Sequence, residues 1–261
     1  MASPSSVRVV QLSTTPVKGT RLLHPRTLQL EAGGIRGDRL FHVIDERDRM
    51  LNGKQSGELS TVAAEYDGDL GVLSLQFPGG SQAIGEVELG APLQAGFYSR
   101  KASVRPVIGP FSSALSAHLR RPVRLVRAGE EGGIDRGKAG GVSIVSQASV
   151  SRLAQQAGVP AVDSRRFRMS IEVSGVDANE EDEWVGRQLS IDSAVVAVRG
   201  HVGRCLVTSR NPDTGEVDLA TLDLLGDYRR EAHTTEPLAL GIYGEVIEPA
   251  SIAVGDLLTV L

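Results

Sequence analysis

Cys205 is the single cysteine of the chain and lies in Gly203-Arg204-Cys205-Leu206-Val207-Thr208-Ser209, ahead of the turn sequence Asn211-Pro212-Asp213-Thr214-Gly215. An arginine beside a thiol favours the thiolate, the form that binds soft metals and attacks electrophiles. The competing reading is a small core hydrophobe in an apolar strand. Three basic clusters accompany it: Pro16-Val17-Lys18-Gly19, Gly34-Ile35-Arg36-Gly37-Asp38-Arg39 and Arg165-Arg166-Phe167-Arg168. Glycine beside a basic residue lets main-chain N–H groups approach an anion while the side chain supplies charge. Taken singly, Gly37-Asp38-Arg39 is equally a turn with a local ion pair, and the arginine cluster a solvated strand end.

Other chemistries lack support. His24, His42, His118, His201 and His233 are scattered, with no pair at zinc-ligand spacing. There is no Gly-x-Ser-x-Gly elbow, no Walker loop and no Gly-x-Gly-x-x-Gly after a strand. The acidic run Asn179-Glu180-Glu181-Asp182-Glu183-Trp184 reads as solvated carboxylates with Trp184 packed inward; a docking face for a basic redox partner is the lesser reading.

The elements that must position these residues are mostly strands. In the first hundred residues, short β-prone runs at 7–12, 27–30, 41–45, 72–77 and 87–89 are separated by Gly, Pro and Asp turns, the spacing of a meander or barrel. Later strands are expected at 123–127, 142–145, 168–173, 189–191, 195–198, 206–208, 242–247 and 257–260, and Ile252 to Asp256 reads as a turn. Helical periodicity marks 112–119, a segment after Ser146 with Ser146 or Ser149 as its cap, and a segment from Asp218, a suitable cap, to Arg229-Arg230. The fold class is therefore α+β and β-dominated, a barrel core with a few peripheral helices.

With 261 residues the chain can bury a substantial core, and one cysteine excludes a disulfide framework. A net charge of −4 and 4% aromatic residues offer neither the field nor the stacking platforms of a nucleic-acid binder. No apolar run has the roughly 20 residues that span a bilayer, so no membrane association is expected. Met1 to Ser6 lacks a basic segment followed by an apolar one, which makes the cytoplasm the expected compartment.

In order along the chain, Pro16-Val17-Lys18, Gly37-Asp38-Arg39, Arg166-Phe167-Arg168 with Gly175 beyond, Glu181-Asp182-Glu183-Trp184, Arg204-Cys205, Asn211-Pro212-Asp213-Thr214-Gly215 and Val254-Gly255-Asp256 resemble a MOSC-domain protein carrying the family's N-terminal β-barrel domain. The resemblance covers nearly the whole chain from Val7 and implies a barrel-like N-terminal domain at 7–110 and a β-barrel MOSC core at 111–261. Among its relatives are the amidoxime-reducing components and the C-terminal domain of molybdenum cofactor sulfurases. It implies a molybdenum cofactor (molybdopterin), with Cys205 as metal ligand and catalytic residue. Lys18, Arg39, Arg168, Arg204 and Ser149 are implied as cofactor contacts, with Arg36 and Arg166 nearby candidates.

The chain departs from the family pattern at Lys18-Gly19, where Lys-Ser or Lys-Cys is common, at Arg168-Met169-Ser170, where Arg-Pro-Asn is common, and at Gly203-Arg204-Cys205, where Ser-Arg-Cys is common. These leave the cationic anchors and the thiol in place. The implied activity is that of an oxidoreductase acting on N-hydroxylated small molecules. Its electrons must come from a separate protein, since the chain has neither iron–sulfur cysteine spacing nor a flavin fingerprint. The alternative is a cofactor carrier or a sulfur-transfer module built on Cys205. Pyridoxal phosphate is disfavoured, because none of Lys18, Lys54, Lys101 and Lys138 adjoins the proposed site in sequence.

Overall fold

A computed structural model describes residues 6–98, 100–128 and 137–261. The N-terminal segment 1–5, where no leader is expected, lies outside them. Strands dominate, accompanied among the described residues by three α-helices: α1 (Phe111–Leu119), α2 (Gln147–Ala157) and α3 (Thr221–Tyr228). The fold class read from the sequence is the one observed.

One sheet runs in the order Arg8–Leu12, Ile171–Ser174, Val142–Ser146, Ala239–Glu248, Ala194–Gly203, Gln188–Ile191, Leu258–Val260. Its outer strands nearly meet: Leu258 N donates to Val7 O and Val9 N to Asp256 O, each at 2.9 Å, so the sheet curls into an almost closed barrel. Inside pack Val9, Leu12, Ile144, Ile171, Val173, Leu189, Ile191, Val196 and Ile242, with Trp184 only 4% exposed among them. Alternate residues of each strand face this interior, and closure leaves few unpaired edges.

A second sheet has Leu93–Phe97, Arg100–Ile108, Arg124–Ala128, Phe41–Ile44 and Met50–Leu51 in that order, with Glu88–Leu89 beside Arg100–Ile108. Gly96 N donates to Asp48 O at 2.7 Å, drawing its two ends together. A meander of Ala63–Asp67, Val72–Gln76 and Gln82–Glu86 lies apart from it, and Phe41, Leu59, Leu73, Leu75, Phe111 and Leu115 fill the core between.

The two halves exchange strands. Arg8–Leu12 pairs with Ile171–Ser174 in the seven-stranded sheet, while Ser251–Ala253, read from sequence as part of a turn, pairs with Thr27–Glu31. Hydrogen bonds between segments so distant in sequence hold the candidate site residues of both halves in one frame.

The helices show why local boundaries shift. Ser146 caps α2, its Oγ accepting from Ser149 N at 3.0 Å, and Val150, Leu153 and Ala154 form the buried stripe. By contrast, α3 begins at Thr221 rather than beyond an Asp218 cap. The Asp218 carboxylate is held instead by Arg166, Nη1 at 2.6 Å and Nη2 at 2.9 Å. A bidentate charged pair is a stronger partner for a carboxylate than a helix-capping N–H.

Candidate functional site

Lys18 enters the site at the end of the first strand's continuation. Phe41 N donates to Pro16 O at 2.9 Å and Lys18 N to Phe41 O at 2.8 Å, so Lys18 is fixed by a short parallel bridge to Phe41–Ile44. Its Nζ lies 5.5 Å from the centre of the Tyr98 ring, within cation–π range.

Arg39 follows the Gly37-Asp38 turn and has a left-handed backbone, φ 51°. Its Nη1 pairs with Asp38, whose Oδ1 also accepts from Thr15 N at 2.9 Å and Thr14 Oγ1 at 3.0 Å. The turn with a local ion pair is therefore what the structure shows at Gly37-Asp38-Arg39.

Arg168 was expected at the start of a strand. The strand begins at Ile171, and Arg168 instead closes the 3-10 turn Ser164–Phe167 with φ 53°. Asp163 starts that turn, accepting from Arg165 N at 2.9 Å. The left-handed residue turns the Arg168 guanidinium toward the first half of the chain, where Nη2 donates to Thr20 O at 2.8 Å; Arg39 Nη2 returns a bond to Arg168 O at 2.9 Å. Burial of its guanidinium, and then repulsion from Arg39, lower Arg168 to about 9, partly offset by Asp38. A half-buried cation held next to another cation is a place where an anion is stabilised.

Arg204 Nη1 donates to Phe167 O at 2.9 Å and Nη2 to Met169 Sδ at 3.0 Å and to Leu240 O, with the guanidinium 5.4 Å from the Phe167 ring centre. This arginine therefore ties Ser164–Phe167 to strand Ala239–Glu248 as well as supplying charge. Cys205 was read as part of a β-prone run over 203–209 with a strand at 206–208; that segment is a single 3-10 turn, Leu206–Ser209, and half-buried Cys205 precedes it with extended backbone. Leaving the ladder exposes one side of the thiol's neighbourhood.

These residues converge. A cavity of about 470 Å³ is lined by Lys18, Arg39, Arg168, Arg204 and Cys205, with Arg166 also on its wall. Arg36 is elsewhere, paired with Glu31 at 2.6 Å on the surface. Ser149 also lies outside the cavity. It is fully buried at the start of α2, its Oγ 2.8 Å from Ser146 Oγ and accepting from Asn179 N at 2.7 Å, so it is engaged in holding structure rather than facing a ligand. Tyr98, Lys54 and Arg210 line the cavity and were not singled out from sequence. The turn after Cys205 was the only signal that could have drawn attention to Arg210.

The family departures at Met169-Ser170 and Gly203 have local explanations. Met169 supplies the sulfur acceptor for Arg204. Ser170 and Ser143 bond reciprocally, each main-chain N–H donating to the other's Oγ at 3.0 and 2.8 Å. Gly203 N donates to Glu236 Oε2 at 3.0 Å, and a Cβ added at Gly203 would stand 2.5 Å from that oxygen.

The acidic run is the clearest correction. Glu181 is completely buried, its Oε1 accepting from Ser146 N at 3.1 Å and its Oε2 from Ser146 Oγ at 3.0 Å. Burial raises its carboxyl above the usual range, opposed by the bonds from Ser149 and Ser146. Glu181→Ala, which strands these donors, should lower unfolding free energy by about 3 kcal/mol in urea titration, whereas Glu181→Gln keeps a matching acceptor and loses less. Asp182 is likewise engaged, accepting from buried Arg229 Nη2 at 2.6 Å.

Residues 6–106 match the MOSC N-terminal beta barrel domain and residues 132–259 the MOSC domain. The chain is similar to mitochondrial amidoxime reducing component 2 of Bos taurus, 28% identical over 95% of this chain and 81% of that protein. The Homo sapiens protein of that name is 41% identical over 97 residues, 34% of this chain and only 28% of its own length. A molybdenum cofactor sulfurase of Caenorhabditis elegans is 26% identical across 91% of this chain, which spans one third (33%) of that protein. With both domain matches together covering most of its length, the chain belongs to the MOSC family and carries that family's N-terminal β-barrel domain.

Proposed function

We propose that the chain binds a molybdenum cofactor and reduces N-hydroxylated compounds with electrons delivered by a separate protein. The observation that carries the reading is the gathering, in one cavity, of Lys18, Arg39, Arg168 and Arg204, among other cations, with the chain's single thiol from distant parts of the sequence. The residues fit such a group. Arg168 and Arg39 form a crowded cationic pair that an anion relieves, and Cys205 offers a soft donor.

Lys18, Arg39, Arg168 and Arg204 would hold the anionic pterin and its phosphate, and Cys205 would ligate the metal. When bound, the cofactor would supply two-electron reduction of a nitrogen–oxygen bond. The protein's part is binding, orientation and electrostatics. The bovine and human relatives, named for reducing amidoximes, support the substrate class. Among the described residues no helix is long and apolar enough to cross a membrane; those relatives are named mitochondrial, which lends no support to a cytoplasmic location.

The test is to purify the chain from cells that make the cofactor, measure molybdenum by elemental mass spectrometry and oxidised pterin by fluorescence, and add an aryl amidoxime with a reduced dye. Near-stoichiometric metal and pterin with amidoxime-dependent dye oxidation are expected. The similarity to the worm sulfurase favours a second reading, in which Cys205 carries sulfur. Protein lacking metal and pterin but bearing a persulfide on Cys205 would replace the first reading with the second.

A further inference from the structure

Cys205 stands at the head of a single 3-10 turn in which Thr208 N and Oγ1 both donate to the Cys205 carbonyl at 2.9 Å. One such turn has little stability of its own, so the thiol's position depends on what the turn leans against. On one side Thr221 Oγ1 donates to Thr208 O at 2.9 Å. On the other lies the loop that follows strand Met50–Leu51.

Contact with that loop is close. Val207 packs on Gly53, where an added Cβ would lie 3.2 Å from Val207 Cγ2. Gly57 and Gly215 meet backbone to backbone: a Cβ on Gly57 would stand 2.0 Å from Gly215 O, and one on Gly215 would stand 2.3 Å from Gly57 O. Arg210 joins all three segments. Its N donates to Val207 O at 3.1 Å, Nη1 to Gly215 O at 2.7 Å and Nη2 to Lys54 O at 3.0 Å.

We propose that Arg210 is the positioning residue for Cys205, fixing the thiol-bearing turn against the loop at 52–57 and hence against the cations supplied by the first half of the chain. This rests on the reading of Cys205 as the functional thiol. The Arg210 guanidinium is directed at two main-chain carbonyls from different segments, which holds loops in register. Its planar fork can meet both at once, whereas a lysine ammonium on a flexible stem holds them less rigidly.

The sole cysteine makes the test direct, because alkylation by iodoacetamide, followed by intact mass, reports Cys205 alone. On cofactor-free protein across a range of pH, Arg210→Ala should react about tenfold faster than wild type through local opening of the turn. Arg210→Lys should fall between, and Gly53→Ala should also accelerate. Val107→Ala, which opens a cavity in the first-half core, controls for general destabilisation and should react at the wild-type rate.

Folded Arg210→Ala that reacts at the wild-type rate throughout overturns the proposal. If Arg210→Ala does not fold, Gly53→Ala decides by the same criterion. Because no molybdenum is needed, wild-type protein that fails to take up cofactor defeats the proposed function while leaving this measurement to stand or fall separately.

Discussion

Cys205→Ala is expected to lose its molybdenum while retaining pterin, and Arg168→Met to lose both. The distinction follows from what each side chain contributes. Cys205 lies on the cavity wall, where in the proposed reading it would be the soft donor, so its removal would delete a metal–sulfur bond but no cation. Arg168 contributes charge. Truncating one partner of a desolvated, hydrogen-bonded charge pair costs about 2–5 kcal/mol, or roughly 30- to 4,000-fold in retention of the anionic group.

Stability should move the other way. With folding lowering Arg168 to about 9, the folded state below that pH carries a guanidinium that burial and Arg39 both disfavour. A base whose affinity for its proton falls on folding weakens the fold as pH drops through that value, and at neutral pH the penalty is fully present. Methionine removes it while filling similar volume, as replacements of buried ions by apolar groups often do. Cofactor-free Arg168→Met should therefore melt at or above the wild-type temperature. Thermal unfolding beside metal and pterin analysis checks both halves; a variant that loses cofactor only because it has lost its fold would sink the assignment.

What the sequence disclosed was set by the range of the forces involved. Alternation and turn chemistry located strands such as Thr27–Glu31, Phe41–Ile44 and Gln188–Ile191 within a residue or two, because those signals are local. The pairing of Arg8–Leu12 with Ile171–Ser174 was illegible, since no local pattern encodes a partner more than 150 residues away. At the site, the residue types were readable and their conformations were not. Arg168 was expected in a strand and Cys205 in a β-prone run, yet one is left-handed and the other heads a 3-10 turn, where hydrogen bonds to Thr20, Thr208 and neighbouring loops override β propensity.

The acidic run failed for a related reason. Composition makes four carboxylates in five residues look solvated, but Glu181 has a buried serine N–H and hydroxyls waiting, and Asp182 has an arginine. Ser149, drawn toward the cofactor by resemblance, belongs to this network instead. The polar interior under α2 and α3 thus absorbed residues that sequence reading assigned to solvent and to ligand.

Arg229→Met should produce a loss of stability as large as that of Glu181→Ala, and its pH dependence should identify the cause. The Arg229 side chain is 4% exposed and bonds Asp182 at 2.6 Å and the side chain of Asn179, linking the end of α3 to the turn Glu180–Trp184. Removing one partner of a buried ion pair leaves the other uncompensated, at about 3–5 kcal/mol; with Asp182 partly exposed, about 3 kcal/mol is expected.

His201 lies against the same pair, its Nε2 3.6 Å from Asp182, and its ring Nδ1 accepts from Thr235 N at 3.0 Å. Burial lowers its proton affinity, Asp182 and Glu236 raise it, and Arg229 lowers it. Because the folded state holds this imidazole less basic than the unfolded chain does, its contribution is whole above the ordinary histidine value of about 6.5 and is lost as pH falls below it. Without Arg229 the pull of Asp182 goes unopposed, so His201 becomes more basic in the folded state. Between pH ~7 and ~5, the His201 contribution to acid destabilisation should then shrink in Arg229→Met and vanish in His201→Gln, where the histidine titration is absent. Urea titrations at stepped pH would show this; a variant slope equal to wild type would mean that Arg229 acts on Asp182 and Asn179 alone and leaves the imidazole untouched.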